Sequence, residues 1–287
     1  MYFKVTNARE NHNGFQYVDG LNVLVEKFND DPNNLCCANG FYFTDISNIF
    51  NFLDDGIFLR EIQLPTGNPD FKMIRDHNKW RANMIILGKR YDLFTVNTFE
   101  YLISCGASIH VNNYALRYSA LYGHLDIVKY LIDNGANLHD ENDCALRFSA
   151  EHGHLSIVKY LIENGADIHA NDDYALKLSA QCGYLNVVEY LIENGANIHA
   201  GNDYPLRWSA YDGHLDVVKY LMEKGADIHA ANDFALLLSA SRGHLHIVKY
   251  LIENGANLHA DNLLLRTTAR NGHLHIVKYL IGNGADI

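Results

Sequence analysis

Proline is scarce: of four in 287 residues, Pro32, Pro65 and Pro69 precede residue 92 and only Pro205 follows. That excludes a polyproline or collagen-like chain, and it leaves the second two-thirds free to form helices. Cysteine is sparse and odd in number: Cys36, Cys37, Cys105, Cys144 and Cys182. They show no paired metal-type spacing, so neither a disulfide framework nor a zinc box is expected, and reduced thiols in a cytosol-like compartment are. No apolar run approaches the roughly 20 residues of a membrane span. Met1 to Asn7 lacks the apolar stretch of a signal peptide. The expected location is cytoplasmic, with no membrane partner. Positive charge is also short. Lys and Arg number 23 against 34 Asp and Glu, a formal charge of −11. Nucleic acid needs a basic surface, so it is not an expected partner. The one basic cluster, Lys72, Arg75, Lys79, Arg81, Lys89 and Arg90 around Trp80, reads better as a solvated sheet edge than as a nucleic-acid patch. There is no Gly-rich phosphate loop, Gly-x-Ser-x-Gly elbow or His-Glu-x-x-His. No catalytic residue, cofactor or metal site is therefore assigned.

What the chain does have is repetition. Gly123, Gly153, Gly183, Gly213 and Gly243 stand thirty residues apart, and Gly272 follows one residue early. A second series, Gly106, Gly135, Gly165, Gly195, Gly225, Gly255 and Gly284, marks the other end of each unit. Such a period means stacked supersecondary units, each unable to bury its apolar face alone. In the copy Asp203–Asn232, Asp203 reads as a helix N-cap and Pro205 as a first-turn residue. A short helix then runs to Asp212 and stops at Gly213. Leu215, Val218, Leu221 and Met222 share one helical face, which predicts a second helix from about His214 to Glu223. Gly225 is the expected left-handed stop. Ala226 to Ala231 reads as a tight finger.

Short helix, turn, longer helix, Gly-Ala, finger: the unit resembles the ankyrin repeat. Gly213-His214-Leu215, Val217-Val218, Tyr220-Leu221 and Gly225-Ala226-Asp227 carry the resemblance. The period of thirty departs from the usual 33, and Tyr204-Pro205-Leu206-Arg207 stands where the family has Thr-Pro-Leu-His. The missing residues fall in the finger, and the aromatics Tyr114, Tyr174, Tyr204 and Phe234 are expected to cover the gap. The short period and the Val-Lys-Tyr-Leu-Ile string look like the arrays of mimivirus-type giant DNA viruses. The resemblance covers about residues 92–287.

Residues 1–91 share none of this period. Phe41-Tyr42-Phe43 and Ile57–Leu64 read as strands, with a helix between them capped by Thr44 or Asp45 and ended by Gly56. Asn83–Leu87 is a further apolar run. The expected architecture is mainly α: an ankyrin-type solenoid of six repeats plus a half-repeat, preceded by a small α+β domain at 1–91. Thr98 to Ile103 with Gly106-Ala107 match a second helix alone, so residues 92–112 read as the half-repeat. The repeats follow at 113–142, 143–172, 173–202, 203–232, 233–261 and 262–287. The last has Thr267-Thr268 where an earlier copy has Trp208-Ser209, a more polar first helix. The chain stops at Gly284-Ala285-Asp286-Ile287 without a further cap. A monomer is expected, with fraying or association through that end.

The resemblance implies a non-catalytic scaffold whose first helices and fingers line a concave face and bind a protein, a host protein if the viral likeness holds. The two residues before each mid-unit glycine should project into that groove. They are Leu121-Tyr122, Glu151-His152, Gln181-Cys182, Tyr211-Asp212, Ser241-Arg242 and Arg270-Asn271. They differ from copy to copy, whereas the adjoining Ser-Ala and Gly-His-Leu barely change. Two alternatives stand beside this reading. One is a target-selecting adaptor, with residues 1–91 engaging a ubiquitin ligase or other host machinery. The other is an enzyme or small-ligand site near the Gly40–Phe43 strand, walled by His12, Tyr42 or Glu61.

Histidine recurs in two series, His139, His169, His199, His229 and His259 in the finger and His124, His154, His214, His244 and His273 after the glycine. Stacked units repeat at about 8–10 Å, too far apart for equivalent histidines to share a zinc ion with ligand bonds of about 2 Å. Turn-stabilising hydrogen bonds are expected instead, with loss of stability in mild acid if the rings act as neutral partners. Arg117, Arg147, Lys177, Arg207 and Arg266 are expected to pair with nearby Asp143, Asp173, Asp203 and Asp233. Tyr118, Phe148, Leu178, Trp208 and Leu238 are expected in the inter-repeat core.

Overall fold

Alternating aromatic and β-branched residues in the first ninety positions build a sheet with a larger number of strands than the most apolar runs announce. The computed structural model describes residues 1–29, 39–110, 113–260 and 263–285. Pro32, Cys36, Cys37, Asp286 and Ile287 lie outside the described residues. The chain forms two compact units, Met1–Ser119 with His124–Asn137, and Ala120–Gly123 with Leu138–Ile287.

In the first unit the strands are β1 (Tyr2–Thr6), β2 (Asn11–His12), β3 (Phe15–Gln16), β4 (Gly20–Val23), β5 (Phe41–Asp45), β6 (Phe58–Gln63), β7 (Met73–Asp76), β8 (Lys79–Ala82) and β9 (Met84–Asp92). Seven of them form one antiparallel sheet in the order β4-β9-β6-β1-β5-β8-β7, and β2 and β3 make a separate small hairpin. β1 sits at its centre, with Phe3 opposite Thr44 on one side and Glu61 on the other. Phe3, Phe41, Ile85 and Leu59 are buried. The expected strands at Phe41 and at Ile57–Leu64 are β5 and β6.

The segment between them is a 3₁₀ helix, Ile46–Asp55, and neither expected cap closes it. Thr44 Oγ1 donates to the Asn78 carbonyl, and the Asp45 carboxylate accepts from the Asn48 side chain. The basic cluster is only partly the solvated edge expected of it. Lys72, Arg75, Lys89 and Arg90 are exposed, but Arg81 is fully buried, its guanidinium 5.7 Å from the Phe28 ring centroid. Its position at the middle of β8 turns it inward.

Helix α1 (Val96–Ser104) is the lone second helix foreseen before the first full repeat, and it packs on α3 (Leu125–Asp133). It is also fastened to the sheet. Tyr91 and Tyr101 stack at 4.6 Å, and both hydroxyls donate to the Glu61 carboxylate. Burial, then the bond to Glu61, raises both phenols above their ordinary range. Phe50 stacks on Phe99 at 5.8 Å. The first helix of that repeat is α2 (Tyr114–Leu121).

The second unit continues as helix pairs: α4 (Cys144–Glu151) and α5 (Leu155–Glu163), α6 (Ala170–Gln181) and α7 (Leu185–Glu193), α8 (Ala200–Asp212) and α9 (Leu215–Glu223). Then come α10 (Ala230–Arg242) and α11 (Leu245–Glu253), and α12 (Leu263–Arg270) and α13 (Leu274–Gly282). The even-numbered helices from α4 to α12 pack side by side, and the odd-numbered from α5 to α13 form a second layer. Leu146, Leu176, Leu206 and Leu236 are buried on the first helices, as are Ile157, Val187, Val217 and Ile247 on the second. This is the core that no single repeat could enclose. In the last repeat Thr268 is fully buried and donates to the Leu264 carbonyl. It therefore takes the inward place of the serines and adds no polar surface.

Candidate protein-binding surface

The finger is where the short period leaves its mark. Among the described residues it contains no strand. Instead three consecutive residues turn left-handed: Asn171-Asp172-Asp173, Gly201-Asn202-Asp203 and Ala231-Asn232-Asp233, with φ between 53° and 60°. L-residues adopt this conformation at a cost, so something must hold it. The third residue does. Asp173, Asp203 and Asp233 are buried, and each carboxylate accepts two bonds. One comes from the Nδ1 of the finger histidine four residues earlier (His169, His199, His229, each at 3.0 Å). The other comes from a backbone N–H 24 residues later, in the following finger at the far end of the same repeat (Asn197, Asp227, Asn257, each at 2.8 Å).

The N-cap reading of Asp203 is thus corrected: its backbone is left-handed and its acceptor serves the following finger. The expected pairing of Arg with that Asp series is corrected as well. Arg147 donates to the carbonyls of Glu141 and Asn142, and Arg207 to those of Gly201 and Asn202. Lys177 pairs with Asp172 rather than with buried Asp173. These cations satisfy the outward carbonyls of the left-handed turn, because the carboxylate is already committed inside.

The same cations reach forward. Arg147 lies 5.8 Å from the Tyr174 ring centroid, Lys177 6.0 Å from Tyr204 and Arg207 6.0 Å from Phe234. Three of the four aromatics expected to fill the shortened finger thus meet the cation of the previous repeat, whereas Tyr114 meets Arg117 of its own repeat at 4.3 Å. The second histidine series works across repeats too. Nε2 of His154, His244 and His273 donates to the carbonyls of Leu121, Tyr211 and Ser241. Hydrogen bonding thus accounts for four finger histidines, His139, His169, His199 and His229, and for these three of the second series.

The twelve residues singled out before the mid-unit glycines all retain solvent access. Tyr122, His152, Cys182, Arg242, Arg270 and Asn271 are exposed, and Leu121, Glu151, Gln181, Tyr211, Asp212 and Ser241 are half-buried. Within the second unit neighbouring copies come together. Burial raises the Cys182 thiol above its ordinary range, and Glu151 and Asp212 from the flanking repeats reinforce the shift. Gln181 accepts from the Tyr204 hydroxyl at 3.0 Å. Ser241 donates to the Leu238 carbonyl, and its own carbonyl accepts from the Asn271 side chain.

Sequence reasoning misplaced one group. Tyr118 is buried as expected, but Phe148, Leu178, Trp208 and Leu238 are only half-buried. Trp208 stacks on Tyr204 at 5.3 Å and meets Tyr211 edge-on at 5.0 Å, and Arg242 caps Tyr211 at 4.3 Å. The result is a partly open row, Tyr204-Trp208-Tyr211-Arg242, on the first-helix face. Phe148 and the leucines sit at the same partly open edge of the first-helix layer as Trp208. The opposite layer is more regular, with Glu189 in place of Lys in one copy. Lys159, Lys219 and Lys249 lie over Tyr190, Tyr250 and Tyr279 at 5.2, 5.8 and 5.5 Å. In the first unit His12 and Tyr42 line one cavity, whereas Glu61 lies apart with Tyr91 and Tyr101.

Among the described residues no helix is long and apolar enough to cross a membrane. The family described as ankyrin repeats (3 copies) matches residues 92–172, 171–232 and 210–287. A protein of Acanthamoeba polyphaga mimivirus named as an ankyrin repeat protein is 48% identical over 141 residues, 48% of this chain and 70% of the relative. An uncharacterised protein of the same virus is 48% identical over 134 residues, 46% of this chain and 97% of its own length. A third, also named as an ankyrin repeat protein, is 41% identical over 145 residues, 50% of this chain and 43% of the relative. Ankyrin repeats are in general protein-interaction scaffolds, and with the match running over residues 92–287 this chain belongs to the ankyrin-repeat family.

Proposed function

We propose that the first-helix face of the array is a non-catalytic binding surface for a protein of the infected host cell, with residues 1–91 as a leader and 92–112 as a half-repeat. One contrast carries the reading. On first helices α4, α6, α8 and α10 the positions that face neighbouring repeats keep one residue type and are closed to solvent: Ala150, Ala180, Ala210 and Ala240 are all at 0%. The next two positions keep solvent access and change in every copy. Packing imposes one solution on identical slots; recognition of an irregular partner does not. The second-helix layer varies less: its Lys-over-Tyr contact recurs at Lys159, Lys219 and Lys249, with Glu189 in place of Lys in one copy. Tyr122, 49% exposed, and Tyr211, held between Trp208 and Arg242, are the anchors, because aromatic and Arg side chains dominate interface energetics. The mimivirus relatives support a viral protein acting on a host partner.

The test is capture from host-cell extract followed by measured affinity for the captured protein. Replacing Tyr122 and Tyr211 with Ala should weaken binding at least about tenfold, roughly 1.4 kcal/mol, with far-UV circular dichroism unchanged. Replacing Lys129, Lys159 and Lys219 with Ala should leave it intact. The reverse pattern would place the partner on the second-helix face.

A further inference from the structure

The first unit contains a cavity of about 570 Å³, within the range of small-molecule sites. Its wall combines Lys4, His12, Tyr17, Tyr42, Asp55 and Lys79. Five elements and one loop supply them: β1, β2, β5 and β8, the 3₁₀ helix, and the segment carrying Tyr17. Lys4 is a buried residue at the centre of the sheet. Its ammonium donates to the Tyr42 carbonyl at 2.8 Å and sits 5.0 Å from the Tyr17 ring centroid. Lys79 approaches the other side of the cavity wall, 4.5 Å from the Tyr42 ring centroid.

The electrostatics of this group are out of balance. Burial pushes Lys4 down to about 8, with Asp55 opposing the shift and Lys79 adding to it. Burial and then Lys4 lower His12. Burial raises Asp55, against the pull of Lys4, His12 and Lys79, so the one carboxylate facing the cations is held towards its neutral form by its cavity setting although it keeps solvent access. Two ammonium groups therefore face one weakened counter-charge. The aromatic faces of Tyr17 and Tyr42 flank the same space.

We propose that this cavity binds a small organic anion carrying a flat ring, with its carboxylate or phosphate between Lys4 and Lys79 and its ring against Tyr17 and Tyr42. Such a ligand supplies the missing counter-charge. Its binding at neutral pH draws protons onto Lys4 and His12, both of which the empty cavity holds below their ordinary range.

The experiment is calorimetric titration of the full chain at about pH 7.5 with benzoate, phenyl phosphate, inorganic phosphate and benzyl alcohol, in two buffers of different ionisation enthalpy. At least one aromatic anion should bind about tenfold or more tightly than benzyl alcohol and than inorganic phosphate, with net proton uptake. Benzoate or phenyl phosphate as the tighter of the two identifies the anionic group. Lys79→Met, at a half-buried position, should weaken that binding at least about tenfold with the unfolding midpoint preserved. Lys4→Met should reduce the proton uptake to the share taken by His12. Binding of benzyl alcohol equal to both anions, tighter binding of inorganic phosphate, absence of any aromatic-anion binding, or indifference to Lys79→Met would each overturn the proposal. It is independent of the array, so the Tyr122 and Tyr211 substitutions should leave the titration unchanged.

Discussion

The Asp203 carboxylate accepts the backbone N–H of Asp227 at 2.8 Å, 24 residues further along in the following finger. The same bond recurs from Asp143 to Asp167, Asp173 to Asn197 and Asp233 to Asn257, and Asn113 makes it to Asn137 in the first repeat. A side chain at the start of one unit thus ties one finger to the next, and simultaneously holds its own left-handed turn through His199 of the preceding unit.

Asp203→Ala should cost about 2–3 kcal/mol, because it strands a donor beside a charged-group bond. Asp203→Asn should cost under about 1 kcal/mol, since Asn113 already fills the equivalent place with an amide oxygen. Urea unfolding followed by Trp208 fluorescence in a Trp80→Phe background reads the array alone. Equal losses in the two variants would show that the bond to Asp227 is not what stabilises the turn.

Two glycines with similar backbones should respond differently to Ala. Gly213 and Gly225 have φ of 90° and 98°. A Cβ at Gly213 would come within 2.7 Å of the His244 ring, whereas one at Gly225 meets nothing within 4 Å. Gly225→Ala should cost only the left-handed penalty, about 1–2 kcal/mol. Gly213→Ala should cost at least about twice that, since it also displaces the next repeat. Matching midpoint shifts would mean that the ring moves aside freely.

His244 makes the array sensitive to acid. Burial lowers its pKa below the ordinary 6.5; its bond to the Tyr211 carbonyl and Asp212 act against this, and His246 and Arg242 act with it. The unfolded chain takes up the proton first as pH falls. The stability this group contributes is therefore complete above about pH 6.5 and is lost as pH drops through that value towards the folded pKa. Thermal midpoints of the array should fall between about pH 7.5 and 5.5, and His244→Gln should make the fall shallower. A steeper fall in the variant would contradict the assignment.

Lys4 makes the sheet respond in the opposite range. Its folded pKa of about 8 lies below the model-compound value of 10.5. Between these the unfolded chain holds the proton and the folded chain has released it, so stability rises with pH across that window. Tyr17, raised above 10 by burial, reverses the trend at higher pH. In a Trp208→Phe background, Trp80 fluorescence should report a gain of roughly 2 kcal/mol from about pH 7.5 to 9.5, absent in Lys4→Met. A flat profile would place the ammonium in solvent.

Sequence by itself determined the array. The two glycine series, the Leu-x-x-Val-x-x-Leu faces and the Gly-Ala stops are local or nearest-neighbour features, and the second helix expected from about His214 to Glu223 is α9 at Leu215–Glu223, whereas the first helix α8 begins earlier than expected, at Ala200. The Lys-over-Tyr contacts recur where the repeated string keeps its lysine. Tertiary structure alone decided the roles of residues whose partners lie in another copy or another strand. Asp203 looked like a helix cap because its true donor is 24 residues away, and Arg207 looked like its partner because the inward turn of the carboxylate is invisible in one dimension. Trp208 was placed in the core by its register, but its indole is half-buried and meets Tyr211 edge-on. In the sheet, β1 lies between β5 and β6, pairings that only long-range chain closure selects. The cavity around Lys4 and Lys79 exists because those strands bring residues 75 positions apart to one wall. No spacing along the chain encodes that meeting.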